Sequence, residues 1–143
     1  MPTENRNVLL YWDASAVLSV LVRDGHTVTA RRWIRRRGQH LLSSLACAEV
    51  LAVLGRLGRE GMFPRESIEK AADALQRGPW RWLAAVPDAA CCARLAARHP
   101  LRGADLWHLA LAASLRDELT ELRLLTFDSA LARAAEVEGF APS

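Results

Sequence analysis

At 143 residues, with 51% hydrophobic and 24% charged side chains, the chain has the size and balance of one globular domain able to bury a sizeable core. A formal charge of +3 does not by itself establish a nucleic-acid partner, and eighteen arginines beside the single lysine, Lys70, fit phosphate binding or genome composition equally well. Cys47, Cys91 and Cys92 are odd in number and lack a CxxC spacing, which argues against a disulfide frame or a zinc site and for a reducing compartment.

The first element is an apolar run at residues 8–12 that meets Asp13, with a helical pattern starting directly behind it at residues 14–22. A buried parallel strand has this near-continuous apolar character. Asp13 therefore stands at the carboxyl end of a strand, where open α/β sheets place their ligands. It is also a good helix cap, so a structural role and a chemical one both fit. A second helix at residues 27–37 carries Arg31, Arg32, Arg35, Arg36 and Arg37 in its latter half, with Gly38 as its stop. These cations suit the carbonyl end of a helix dipole, or an RNA-facing patch.

Residues 40–44 form a short expected strand and 45–60 a helix. Gly61 and Pro64 mark a turn into a helix that ends near Arg77. A third strand is expected at residues 80–86, with Trp80, Trp82 and Ala84 alternating against Arg81 and Leu83. Pro87 opens a helix to Arg98, and Gly103-Ala104-Asp105 introduces a long apolar helix to Leu115. A fourth strand at residues 122–127 runs into Asp128, and a final helix reaches Glu138, with residues 140–143 available as a short edge strand. This alternation predicts a parallel sheet of four or five strands covered on both faces, in one domain spanning 1–143. The opening MPTENRN is not a signal peptide, and no stretch is long and apolar enough for a membrane span. The expected location is cytoplasmic, with no membrane partner.

Carboxylates carry the chemical signal. Glu49 lies in LACAEVLAVL among apolar or small neighbours. An ionised carboxylate there needs a partner or a cation, although the exposed edge of an amphipathic helix, with Arg56 for a salt bridge, would also accommodate it. Asp105 begins the helix ADLWHLALAA, and Asp128 repeats the strand–aspartate–helix order of Asp13. Capping explains each one singly. Together, a parallel sheet brings two strand ends and two helix starts to the same edge. Four carboxylates in one pocket repel and raise one another's pKa, and a divalent cation removes that conflict. An all-oxygen set suits Mg²⁺ or Mn²⁺, and such a site readily hydrolyses phosphodiesters.

With these residues the sequence resembles the PIN-domain nucleases, specifically the VapC-type ribonuclease toxins of VapBC toxin–antitoxin systems, over nearly its whole length. The matching stretches are WDASAVL with Asp13 and Ser15, SLACAEVLAVL with Glu49, RGADLWHLALAA with Asp105, and LLTFDSALARAAEVEGF with Asp128 and, two residues earlier, Thr126. The resemblance implies a three-layer α/β/α domain and Mg²⁺- or Mn²⁺-dependent endoribonuclease activity. It also implies an RNA substrate, a cognate VapB-like antitoxin and a homodimer. Asp13 and Asp105 would be direct ligands, Glu49 and Asp128 would act through bound waters, and Ser15 and Thr126 would orient a carboxylate or a water. Arg31, Arg32, Arg35, Arg36 and Arg102 would bind RNA phosphates. Trp12 departs from the family by being bulkier than the usual aliphatic residue before the first aspartate.

The competing reading is a PIN-like module that binds RNA or protein without cutting. A phosphoacceptor receiver domain is excluded because Lys70 lies in a mid-chain helix, and the lack of GxGxxG and GxxxxGK[ST] loops removes the usual signals for dinucleotide or nucleotide binding. His108, three residues after Asp105, is expected to be a satisfied structural histidine, and Trp107 a core residue rather than a base platform. Leu54, Leu57 and Ile68 offer an apolar groove for an antitoxin segment, and Trp33 a lesser partner surface.

Overall fold

A computed structural model of the chain describes residues 6–142. Most of the MPTENRN start and the last residue of the expected tail strand lie outside them.

Strand β1 (Val8–Trp12) sits beside β4 (Arg123–Leu125) on one side and β2 (Gly38–Ser43) on the other. The edge strand β3 (Trp80–Leu83) completes the order β3-β2-β1-β4, and all pairings are parallel. Successive side chains of a strand point to opposite faces, and the core divides accordingly. Leu10, Trp12, Leu42 and Leu125 pack on one face with α1 (Ala14–Leu21), α2 (Thr27–Ile34), α3 (Ser44–Arg59) and α4 (Arg65–Arg77). Tyr11, Leu41 and Leu124 pack on the other with α5 (Ala89–Arg98), α6 (Gly103–Leu115) and α7 (Ser129–Val137). The result is the three-layer α/β/α arrangement, with a sheet of four strands. Residues 140–142 add no strand, although Leu124 N donates to Phe140 O at 2.8 Å.

Gly38 opens β2 as well as following the arginine-rich helix. Its φ is +133°, and an added Cβ would lie 2.0 Å from Val8 O, so only glycine permits the close approach of the two chains there. Trp12 is accommodated by a specific nest. Its Nε1–H donates to His40 Nδ1 at 3.0 Å, and its ring meets Trp80 edge-on at 5.1 Å. His40 in turn uses Nε2–H to donate to Arg36 O at 2.8 Å.

Two expectations are corrected here. Trp82 points to the same face of β3 as the buried Trp80 but is 50% exposed, because β3 is an edge strand. Leu54 is buried in the core between sheet and helices and is not available to a docking groove, while Leu57 and Ile68 are only half-buried.

Candidate active site

Helices in this fold start at the carboxyl edge of the sheet, and four acidic residues follow from that rule. Asp13 leaves β1 in extended conformation and its Oδ1 accepts from Ala16 N at 2.9 Å, capping α1. Asp128 leaves the loop after β4 and caps α7 through Leu131 N at 2.8 Å. Asp105 lies in the first turn of α6, whose N-cap is Arg102, and caps nothing. Glu49 lies in the second turn of α3, not the first, behind the Ser43 cap.

Asp13 is 3% exposed and its carboxylate is held from several directions. Ser15 Oγ donates to Oδ1 at 2.7 Å, and Thr126 Oγ1 donates to Oδ2 at 2.5 Å. Ser15 Oγ also accepts from Phe127 N at 2.9 Å, and Thr126 Oγ1 from Asp128 N at 3.1 Å, so the two hydroxyls tie β1 to the segment after β4. Burial raises the Asp13 pKa, against the bonds from Thr126, Ala16 and Ser15. Asp105 is also raised, first by burial and then by the charges of Asp128 and Asp13, with a smaller part from Glu49. Its carboxyl group thus feels the other three acids of the cluster.

Glu49 does not pair with Arg56. Its Oε1 lies 2.6 Å from His108 Nε2, and the other ring nitrogen lies 2.5 Å from the Tyr11 hydroxyl. His108 is a satisfied buried histidine, as expected, but its partner belongs to the acidic cluster. Tyr11 and Ser43 complete the same chain and went unnoticed in the sequence. The signals were local: His108 shares a helix face with Asp105 at spacing i, i+3, and Ser43 directly precedes a helical pattern.

The arginines are distributed differently from the acids. Helix α2 runs from the carboxyl edge, where His26 stacks on Phe127 at 4.4 Å, to the amino edge, where Arg37 O accepts from Val8 N. Arg35, Arg36 and Arg37 therefore end at the edge opposite the carboxylates, and Arg31 and Arg32 lie part-way. Arg36 sits over the Trp33 ring at 4.9 Å and lines an amino-edge cavity of about 180 Å³ with Arg6 and Arg123. The cluster does not form the rim expected of it. Arg102, exposed at the start of α6, is the arginine of that set nearest in sequence to a site carboxylate.

Among the described residues, no three acidic, histidine or cysteine side chains stand close enough to form a ready-made metal cage. The donor chemistry nevertheless fits a hard dication: every member is a carboxylate, like charges crowd Asp105, and Asp105 accepts no hydrogen bond among the described residues. All three cysteines are free and half-buried.

Comparison with known proteins locates this arrangement. A family model for the PIN domain matches residues 10–137. The chain belongs to the PIN domain family. Among solved structures, the fold is similar to VapC20 of Mycobacterium tuberculosis, a toxin that cleaves the sarcin–ricin loop. That match has a TM-score of 0.59 and 17% identity over 92% of this chain and 96% of that one. It is also similar to PAE2754 of Pyrobaculum aerophilum, with a TM-score of 0.63 and 20% identity over 94% of this chain and 88% of that one. No curated protein matches. Asp13 and Asp128 thus cap the helices that follow β1 and β4, Glu49 lies in α3 and Asp105 in α6, and no described helix is long and apolar enough to cross a membrane.

Proposed function

We propose that this PIN domain is a divalent-metal-dependent endoribonuclease acting as the toxin of a type II toxin–antitoxin pair. The observation that carries the reading is the gathering of Asp13, Asp105, Asp128 and Glu49 at the carboxyl edge of the sheet, where Asp105 is raised first by burial and then by the charges of Asp128, Asp13 and Glu49. Family membership and the likeness to a toxin that cleaves the sarcin–ricin loop support it. A Mg²⁺ or Mn²⁺ ion between these carboxylates would supply Lewis acidity and an activated water. In this reading Asp13 and Asp105 are direct ligands, and Glu49 and Asp128 act through waters. Ser15 and Thr126 fix the direction of the Asp13 carboxylate. Arg102 contacts a phosphate of the substrate, so affinity falls with salt. A VapB-like antitoxin, a second copy of the chain and a cytoplasmic site of action belong to the same proposal, with all 143 residues in one domain.

The test is cleavage of single-stranded RNA by purified protein in Mg²⁺ or Mn²⁺. Chelation should abolish it, and Asp13→Asn and Asp105→Asn should each slow it at least ~100-fold, the scale of removing one preorganised electrostatic group. Wild-type rates in both variants would remove the site assignment. One observation favours a second reading, a module that binds RNA without cutting: both oxygens of Asp13 already accept protein hydrogen bonds. RNA retention on a gel, with no product in any divalent metal, would establish that alternative.

A further inference from the structure

Behind Glu49 stand three buried polar side chains that the ligand set does not use. Tyr11, fully buried on β1, donates its hydroxyl proton to Ser43 Oγ at 2.8 Å. Ser43 ends β2 and caps α3, where the same Oγ accepts from Ala46 N at 3.1 Å. Nδ1 of His108 lies 2.5 Å from the same hydroxyl. That contact fixes Nδ1 inward and turns Nε2 to Glu49 Oε1, 2.6 Å away. Trp107 meets the same ring edge-on at 5.5 Å. The side chain of His108 is 1% exposed and that of Glu49 30%.

We propose that His108, locked by Tyr11 and Ser43, is the positioning residue for Glu49. It fixes Oε1 and leaves Oε2, which accepts no hydrogen bond among the described residues, as the oxygen presented to a water on the cation. A free glutamate side chain loses rotamer entropy when it is ordered; here that ordering is completed by the fold before any ligand arrives. Outer partners of this kind orient ligating carboxylates, and their loss typically weakens metal binding about 10–100-fold. The assignment rests on the metal-site reading above.

Amide substitutions separate positioning from simple core filling. Asparagine places its amide nitrogen near the Nδ1 position and glutamine near Nε2. His108→Gln therefore offers a donor to Glu49, and His108→Asn offers one on the Tyr11 side alone. The measurement is Mn²⁺ binding by isothermal titration calorimetry, beside thermal unfolding of each metal-free protein. The expected result is affinity within roughly 3-fold of wild type for His108→Gln and a loss of about 10–100-fold for His108→Asn, at similar melting temperatures. Tyr11→Phe, which removes a single oxygen, should weaken Mn²⁺ binding about 3–10-fold by freeing the ring, and serves if the His108 variants do not fold. Wild-type affinity in Tyr11→Phe, or equal affinities in the two His108 variants, would overturn the assignment while leaving the metal site intact. No Mn²⁺ binding by the wild type would overturn the metal-site reading, and this assignment with it.

Discussion

Asp13 accepts hydrogen bonds from Ser15, Ala16 and Thr126 at 3% exposure. Burial raises its pKa, and the three donors oppose that rise. One side chain thus caps a helix and carries a poorly solvated charge. The two roles can be taken apart, because asparagine caps as well as aspartate whereas alanine does not. Asp13→Asn should abolish cleavage while unfolding at or above the wild-type temperature, since the cap stays and the buried charge goes. Asp13→Ala should be less stable than Asp13→Asn by about 1 kcal/mol, the cost of an empty cap. Thermal unfolding of the two variants side by side measures the difference. Equal stability would mean that the cap contributes nothing.

Between elements, the clearest polar joint is the one holding α7 to α5. Glu138, the C-cap of α7, takes His99 Nε2 at 2.8 Å, Arg98 at 3.4 Å and Arg94 at 3.6 Å, with its side chain 9% exposed. Burial alone would raise its pKa. The His99 hydrogen bond and the Arg98, His99 and Arg94 charges outweigh that and hold it below the ordinary 4.5. A depressed carboxylate stabilises the fold above its unfolded pKa and loses that contribution as the pH falls through the folded value. Glu138→Gln should therefore cost about 1–2 kcal/mol at pH 7, the scale of hydrogen bonds to a charged group. The gap should close below pH 4.5. Denaturant unfolding at both pH values checks it, and a gap independent of pH would rule out the ionic origin.

For the molecule as a whole, the carboxyl edge concentrates charge that the fold must tolerate. A dication that binds only the native state stabilises by mass action, by about 2.7 kcal/mol at 100 times its Kd. Saturating Mn²⁺ should raise the melting temperature of the wild type over that in chelator, and should raise that of Asp105→Asn much less. Equal shifts in both would place the ion elsewhere. The arginine-rich end of α2 lies at the opposite edge of the sheet, so this shift is separable from any general effect of salt on the basic surface.

Order and type of the elements were legible in the sequence, because apolar runs, capping residues and Gly/Pro punctuation are local properties. The strand–aspartate–helix steps at Asp13 and Asp128 followed from the same grammar, and both residues do cap helices. The position of Asp105 in a first turn was equally readable. What local pattern could not carry was lateral order. Trp82 alternates like a buried residue and is exposed, since only the tertiary structure makes β3 an edge. The arginines of α2 looked like a substrate rim and lie largely at the far end, because helix direction relative to the sheet decides where a side chain arrives. Glu49 had Arg56 as its nearest sequence partner and found His108 across 59 positions. The sequence alone determined which carboxylates the chain possesses and which secondary elements carry them. The pairing of α3 with α6 through His108, and the lock by Tyr11 and Ser43 behind it, were decided by the order in which the strands stack.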